Sequence, residues 1–528
     1  MSRRQLGQIA GSAALGTLLP LRAPGTAAAA PPLAPDSLPD DGAALYKALG
    51  VRPLINGRGT ITVIGGSIEL PEVRAAKNLA NQHFVQLDEL MAAIGRRLGE
   101  LTGAEWGMVS AGCAAALTHA TAACVAGGNP DLHVRIPNLA GFPRDEVIIP
   151  THSRNVYDAA VRAVGVKVIE VDSIEALKHA LGPKTAMIYF FANDRNETGP
   201  MALTPIAEAA RAHNVPILVD AAAEILTIPN IHLQRGATLV AYSGGKVIRG
   251  PQSAGLLLGR KDLVQAAWVH SAPHHGYARA MKVGREEMIG MLLAVESWVK
   301  RDHEAEWAHW VARCRHIAER VQQVPGVTAE IREPRDRRDN RTPGVTIRWN
   351  AKKLGLTGAD VVEALDKGEP RIALGGGGRG RRGGDPDETS VSVSVYMMRD
   401  GDERIVADRL VEVLKTVRSA PAKSPAPPAA DLTGRWVVDI KYAAGTGRHT
   451  LHLVQREGRI EGTHQGEFLA RDLTGTLDGD TVTLASFITE RHGDSLRYRF
   501  TGKVQGDTMS GDLDLGEYLS ATWTAKRA

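Results

Sequence analysis

Lys246 closes the stretch Ser243-Gly244-Gly245-Lys246, which follows an apolar run at residues 238–242. An ammonium set just past a strand that reads as buried, and hemmed in by glycines, is costly unless it is paired or does chemistry. The chemistry that suits it is an imine with a carbonyl compound. Asp220 ends a second apolar run, Val215-Pro216-Ile217-Leu218-Val219-Asp220, and precedes the lysine by 26 residues. An amine and a carboxylate at successive strand ends suit pyridoxal 5'-phosphate (PLP). The lysine would hold the aldehyde carbon and the aspartate would keep the pyridine nitrogen protonated. Any α/β chain has lysines and carboxylates at strand ends, so the pair gains its weight from a third element upstream. Ser110-Ala111-Gly112-Cys113 follows a short apolar segment and opens an alanine-rich helix. Small residues there leave backbone N–H groups free to cradle a phosphate, although tight strand-to-helix packing uses the same residues.

The elements that position these groups recur along the chain. Apolar runs at residues 107–111, 146–150, 167–171, 185–192, 215–223, 238–242 and 254–258 are separated by alanine-rich helical stretches. Continuous rather than alternating hydrophobicity predicts a mostly parallel sheet covered on both faces. Ligands of such sheets bind beyond the strand ends, where Asp220 and Lys246 fall. The class is therefore α/β.

The segment Tyr242-Ser-Gly-Gly-Lys-Val-Ile-Arg-Gly-Pro-Gln252-Ser-Ala-Gly-Leu-Leu-Leu-Gly259 resembles the lysine segment of the selenocysteine synthase (L-seryl-tRNA selenium transferase) group of fold-type-I PLP enzymes. Arg52-Pro-Leu-Ile-Asn-Gly57, Leu101-Thr-Gly-Ala-Glu105 and Arg279-Ala-Met-Lys-Val-Gly-Arg-Glu-Glu287 resemble the D-glucosaminate-6-phosphate ammonia-lyase branch of that group. The resemblance spans residues 51–418. It implies a seven-stranded, mostly parallel large domain, a small α+β domain, PLP, a small-molecule amine substrate, and a homodimer or higher homo-oligomer with its active site at a subunit interface.

Further site residues follow from these two readings. Ser110, Gly112 and Cys113 belong to the phosphate turn, where Cys113 reads equally as a buried small residue. Ser243 is placed to give its hydroxyl to the phosphate, as fold-type-I enzymes commonly do, or to serve as a plain turn residue. Among His152, Arg154 and Asn155, which follow the run ending at Pro150, His152 offers a flat face to stack on the pyridine ring. Asn196, in Asn196-Glu197-Thr198-Gly199, is placed to bond the phenolic oxygen or to make an Asn/Gly turn. Arg279 and Lys282 suit an anionic substrate or the phosphate, reached from the second protomer. Arg371 falls where related folds place an arginine for the substrate carboxylate, a task suited to a bidentate guanidinium. His274 and His275 have no acidic or histidine partner at ligand spacing, so no metal is expected.

Met1-Ser2-Arg3-Arg4 opens a leader with a mildly apolar stretch at residues 9–21 and small residues at 26–30. The stretch is too short for a membrane span and reads as a twin-arginine signal peptide, residues 1–30, which predicts a periplasmic or secreted protein. A tRNA substrate is then excluded by location, and a net charge of +4 over 528 residues offers no separate argument for a nucleic-acid partner. The three cysteines make no disulfide framework. Cys113 and Cys124, on one helix, stand about 16 Å apart, beyond the roughly 7 Å reach of a bridge.

The expected organisation continues with an N-terminal extension at 31–50, a PLP-binding large domain at 51–290 whose residues 51–75 pack with the small domain, and a connecting helix plus small α+β domain at 291–418. A Pro/Ala linker occupies 419–430, and alternating strands at 431–528 predict an all-β barrel or sandwich with Trp436 and Trp523 in its core. The glycine/arginine stretch 375–384 reads as a mobile lid carrying arginines to an anionic substrate, or as a plain surface loop. The β domain is a candidate for glycan or envelope contact, or for packing alone. The ammonia-lyase resemblance implies α,β-elimination from an amino acid or amino-sugar acid. The alternatives are an aminotransferase or racemase, and, in another class, a PLP-binding envelope protein without turnover.

Overall fold

The structure is a computed structural model that describes residues 42–193, 196–334, 338, 342–379, 387–416, 426–490 and 495–528. The leader with its arginine pair, residues 31–41 of the extension, residues 380–384 of the glycine/arginine stretch and residues 419–425 of the linker lie outside the described residues. No helix among the described residues is long and apolar enough to cross a membrane.

The first strand is β1 (Leu54–Gly57). It is followed by β2 (Trp106–Ser110), β3 (Glu146–Pro150), β4 (Lys167–Val171), β5 (Thr185–Phe191), β6 (Ile217–Asp220), β7 (Leu239–Ser243) and β8 (Gly255–Gly259). Strands β2 to β8 form one seven-stranded sheet in the order β2-β8-β7-β6-β5-β3-β4. Only β8 runs against its neighbours, β2 and β7. The seven apolar runs account for its strands, and the interior strands are buried on both faces, as in β6 and β8. Helix Cys113–Ala126 packs against this sheet with every residue buried except Ala114, which explains its alanine-rich, non-amphipathic sequence.

The small domain carries β9 (Val327–Arg332), β10 (Gly344–Asn350), β11 (Arg371–Arg379) and β12 (Glu388–Ser394) in the order β1-β11-β12-β10-β9. The amino-terminal β1 thus joins it, parallel to β11. Helices His303–Val321, Gly358–Lys367 and Asp402–Lys415 supply buried faces to its core, among them Ile317, Val361 and Leu410.

Beyond the linker, β13 (Gly434–Lys441), β14 (Thr446–Arg456), β15 (Arg459–Gln465), β16 (Ala470–Asp478), β17 (Thr481–Thr489), β18 (Ser495–Gln505), β19 (Thr508–Asp514) and β20 (Ser520–Arg527) close into an antiparallel barrel. Closure comes from pairing of β13 with β20, which decides for a barrel over a sandwich. Trp436 and Trp523 are fully buried at its centre. Cys113, Cys124 and Cys314 are free thiols, all buried.

Candidate active site

Lys246 follows β7 in a tight turn in which Arg249 N donates to the Lys246 carbonyl (2.9 Å) and Gly250 N to that of Gly244 (3.0 Å). Gly244 before it is demanded by sterics: a Cβ there would sit 2.6 Å from Pro251 O and 2.8 Å from Ala254 O. The lysine side chain points inward and Nζ donates to Thr60 O at 2.9 Å. Burial depresses its pKa, with Cys113 acting in the opposite sense. A larger fraction of neutral amine follows, as a nucleophile or base requires.

Asp220, at the end of β6, is 1% exposed. Its Oδ2 accepts from Tyr189 Oη (2.8 Å) and its Oδ1 from Ala222 N (3.1 Å), while Cys113 Sγ lies 3.7 Å from Oδ1. Burial raises the carboxyl pKa and these hydrogen bonds oppose the shift. The Cys113 thiol, buried beside this carboxylate, is pushed well above its ordinary range. The thiol therefore stands within the electrostatic reach of both the carboxylate and the lysine. Tyr189 in turn accepts from Asn155 Nδ2 (3.0 Å), so a relay from the loop after β3 fixes the orientation of the carboxylate.

PLP fits these residues. Asp220 has no cationic partner among the described residues, and a pyridinium N–H would supply one. The first turn of helix Cys113–Ala126 has no side-chain cap, and a Cβ on Gly112, at φ +87°, would meet nothing within 4 Å. Its N–H groups are thus open to a phosphate. Gly255 of β8 lets this turn pack flush, since a Cβ there would come within 2.5 Å of the Gly112 carbonyl carbon.

A D-glucosaminate-6-phosphate ammonia lyase of Salmonella typhimurium (strain 14028s / SGSC 2262) is 30% identical over 339 residues, 62% of this chain and 88% of that protein. The chain belongs to the same family of fold-type-I PLP enzymes. A 5'-C-glycyluridine monooxygenase-decarboxylase of Streptomyces sp is 30% identical over 62% of this chain and 83% of the relative. An L-seryl-tRNA(Sec) selenium transferase of Moorella thermoacetica is 25% identical over 54% of this chain and 61% of that protein. The aminotransferase class-V family matches residues 152–277, a span that contains both Asp220 and Lys246. The solved structure of a D-glucosaminate-6-phosphate ammonia-lyase superposes with a TM-score of 0.62 at 28% identity, covering 98% of that chain but 71% of this one.

The other expected residues of this PLP enzyme fare unequally. Gly112 and Cys113 stand at the open helix terminus, but the Ser110 hydroxyl is turned away from it, donating to Gly112 O at 2.8 Å and bracing the turn. Ser243, half-buried at the end of β7, faces Gly255 across the sheet. His152 is exposed, its ring held by Met201 O (3.1 Å), Ser153 Oγ (3.1 Å) and the edge of Phe190. Of its neighbours, Arg154 is absorbed by Asp158 and Glu170, whereas Asn155 feeds the Asp220 relay. The Asn196 amide donates to Phe191 O (2.9 Å), a bond within the turn that follows β5.

Arg371 is partnered within the chain. Its guanidinium is bidentate on Asp366, at 2.9 and 3.1 Å, in the last turn of helix Gly358–Lys367. Arg279 and Lys282 are exposed and bond to neither Lys246 nor Asp220 in this chain.

Three residues of the site carry no signal in the sequence. Tyr189 sits within a continuous apolar strand where its hydroxyl is invisible to hydropathy. Thr60 and Tyr396 come from opposite ends of the catalytic body. Tyr396 Oη accepts from Thr60 N (2.9 Å) and shares a hydrogen bond with Thr60 Oγ1 (2.8 Å). Both residues border a cavity of about 600 Å³ that also holds Arg58 and Arg332, and Tyr396 borders a second, of about 790 Å³, with Arg74, Arg249 and Arg399.

Proposed function

We propose that this enzyme removes ammonia from an amino acid or amino-sugar acid by α,β-elimination. The observation that carries the reading is a depressed-pKa lysine and a buried carboxylate without a cationic partner among the described residues, both acting on Cys113, in a chain whose relative at 30% identity is named an ammonia lyase. When bound, PLP supplies an electron sink next to the substrate Cα. Lys246 is the base that takes the Cα proton, its amine aimed by the Thr60 carbonyl and its pKa lowered by burial. Asp220, oriented by Tyr189 and Ala222, holds the positive charge on the ring nitrogen. Arg58 and Arg332, lining the cavity beside Thr60, offer charge to the acid group of the substrate. Lys246 takes the Cα proton and passes it to the departing β-hydroxyl, which leaves as water, and hydrolysis of the remaining C–N bond with one water yields ammonia and a 2-oxo acid.

The test is a panel of D- and L-amino acids and aldonic amino acids, assayed for ammonia and 2-oxo acid together. Stoichiometric release of both supports elimination. Amino transfer that requires a 2-oxo acid acceptor would replace it with an aminotransferase, and loss of optical rotation without ammonia with a racemase. The reading includes a homodimer, supported by exposed apolar residues beside the site segment, Val63 at 77%, Leu79 at 64% and Phe84 at 97% exposure. It also includes twin-arginine export, supported by Arg3 and Arg4 ahead of the apolar leader.

A further inference from the structure

The barrel interior changes character from one end to the other. The linker enters beside the turn between β16 and β17, where Ala426 N donates to Asp478 Oδ1 (2.6 Å) and Ala429 N to Gly479 O (2.8 Å). From that end to the middle the inward positions are apolar, including Trp436, Leu477, Phe500 and Trp523. At the opposite end, where β13 meets β14 and β15 meets β16, they are Tyr442, His449, His464, Arg471, Ser486 and Tyr498.

Most of these groups satisfy each other. His449 Nδ1 lies 2.8 Å from His464 Nε2, and His464 Nδ1 lies 2.6 Å from Ser486 Oγ. Burial keeps both imidazoles uncharged, pushing His464 down to about 3, and the Arg471 charge adds to the effect. Arg471 is the exception. It is 7% exposed, its guanidinium lies 4.7 Å from the Tyr498 ring centroid, and Nε and Nη1 are sealed from solvent with no hydrogen-bond partner among the described residues. Glu467, exposed on the turn between β15 and β16, makes no direct ion pair with it among the described residues, although its charge reaches His449 and Tyr442.

A buried guanidinium without a counter-charge is a costly arrangement, and eight-stranded barrels have interiors wide enough for one small ligand. Two large apolar side chains stand exposed at this end, Phe468 at 91% and Leu519 at 70%, on the turns after β15 and β19, which also carry Glu467 and Glu517. We propose that the mouth of the barrel distal to the linker binds a small organic carboxylate, whose head pairs with Arg471 and whose body lies against Phe468 and Leu519. This site is separate from the PLP pocket and does not depend on the reaction assigned to it.

The test is calorimetric titration of the full-length, PLP-loaded protein with octanoate, glucuronate and inorganic phosphate. Octanoate is expected to bind once per chain, with affinity falling about tenfold or more in Arg471→Met, the loss of a charge-assisted hydrogen bond. Phe468→Ser should weaken octanoate as well. Binding of glucuronate in preference to octanoate, again lost in Arg471→Met, supports the carboxylate site and assigns its source to acidic sugars. Without ligand, Arg471→Met should melt no lower than the wild type, since it removes an unpaired buried charge. Binding of phosphate alone, equal affinities in wild type and Arg471→Met, or no heat from any probe on the wild type overturns the proposal, the last irrespective of how the variant folds.

Discussion

The Lys246 amine and the Thr60 carbonyl, 186 positions apart in the chain, are joined by a hydrogen bond of 2.9 Å. Thr60 is in turn clamped by Tyr396 through both its amide and its hydroxyl. The small domain therefore reaches the lysine through one threonine, and a change at Tyr396 should be felt at Lys246.

Protein loaded with PLP should be yellow, and borohydride should fix the chromophore to the peptide containing Lys246. Lys246→Ala should lower kcat by about a thousandfold or more, the scale of a lost general base. Tyr396→Phe removes only the clamp on Thr60 and should retain the cofactor with a kcat loss of about tenfold. Label on another lysine would refute the assignment of Lys246, and an unaltered Tyr396→Phe would show that Thr60 is held by the backbone alone.

The Tyr189 to Asp220 hydrogen bond gives a graded pair of variants. Asp220→Ala should still bind PLP yet lose turnover, because the ring nitrogen is no longer held protonated. Tyr189→Phe leaves the carboxylate in place with one donor fewer, at a cost of about 1 kcal/mol and so roughly a fivefold fall in kcat. Equal losses in the two variants would mean that the tyrosine acts directly on substrate.

Stability should fall in mild acid. Burial lowers His119 to about 4 and His270 and His464 each to about 3, so the folded protein resists protonating them. The unfolded chain takes up those protons below about pH 6.5. Their contribution is thus intact above that pH and lost as the pH falls towards the folded values, at roughly 1.4 kcal/mol per pH unit for each imidazole. Denaturant midpoints at pH 7.5, 6 and 5 measure the slope, and His119→Leu should flatten it. A variant with an unchanged slope would transfer the effect to carboxylates.

Phe84, 97% exposed, lies beside Leu79 and Val85 on an apolar surface close in sequence to the Thr60 segment. If a second protomer covers it, the wild type should elute as a dimer and Phe84→Asp as a monomer with reduced turnover. A monomeric, fully active wild type would remove the need for a shared site.

Replacing Arg3 and Arg4 by lysines should retain folded, yellow protein in the cytoplasm, as measured by fractionation. Unchanged export would show that another signal directs it.

The residue pattern alone determined the strands of the large sheet, the Gly112 turn, Asp220 and Lys246, because each is announced by its neighbours. An apolar run gives a strand, and small residues or a polar group at its end mark where a ligand can approach. The same local logic exposed the alternation of the tail. Closure of that tail into a barrel depended on β13 pairing with β20, whose partner residues lie 81 to 91 positions downstream, which periodicity of two does not encode. Tyr189, Thr60 and Tyr396 entered the site only through contacts across β-strand and domain boundaries, and nothing in their flanking residues distinguishes them from core or turn positions. Arg371 shows the converse: the chain reverses between helix Gly358–Lys367 and β11 and brings Asp366 within hydrogen-bond reach of its guanidinium. Residue type and strand ends were therefore local properties, whereas the partner that claims each polar group was decided by the tertiary fold, where burial makes every unpaired charge costly.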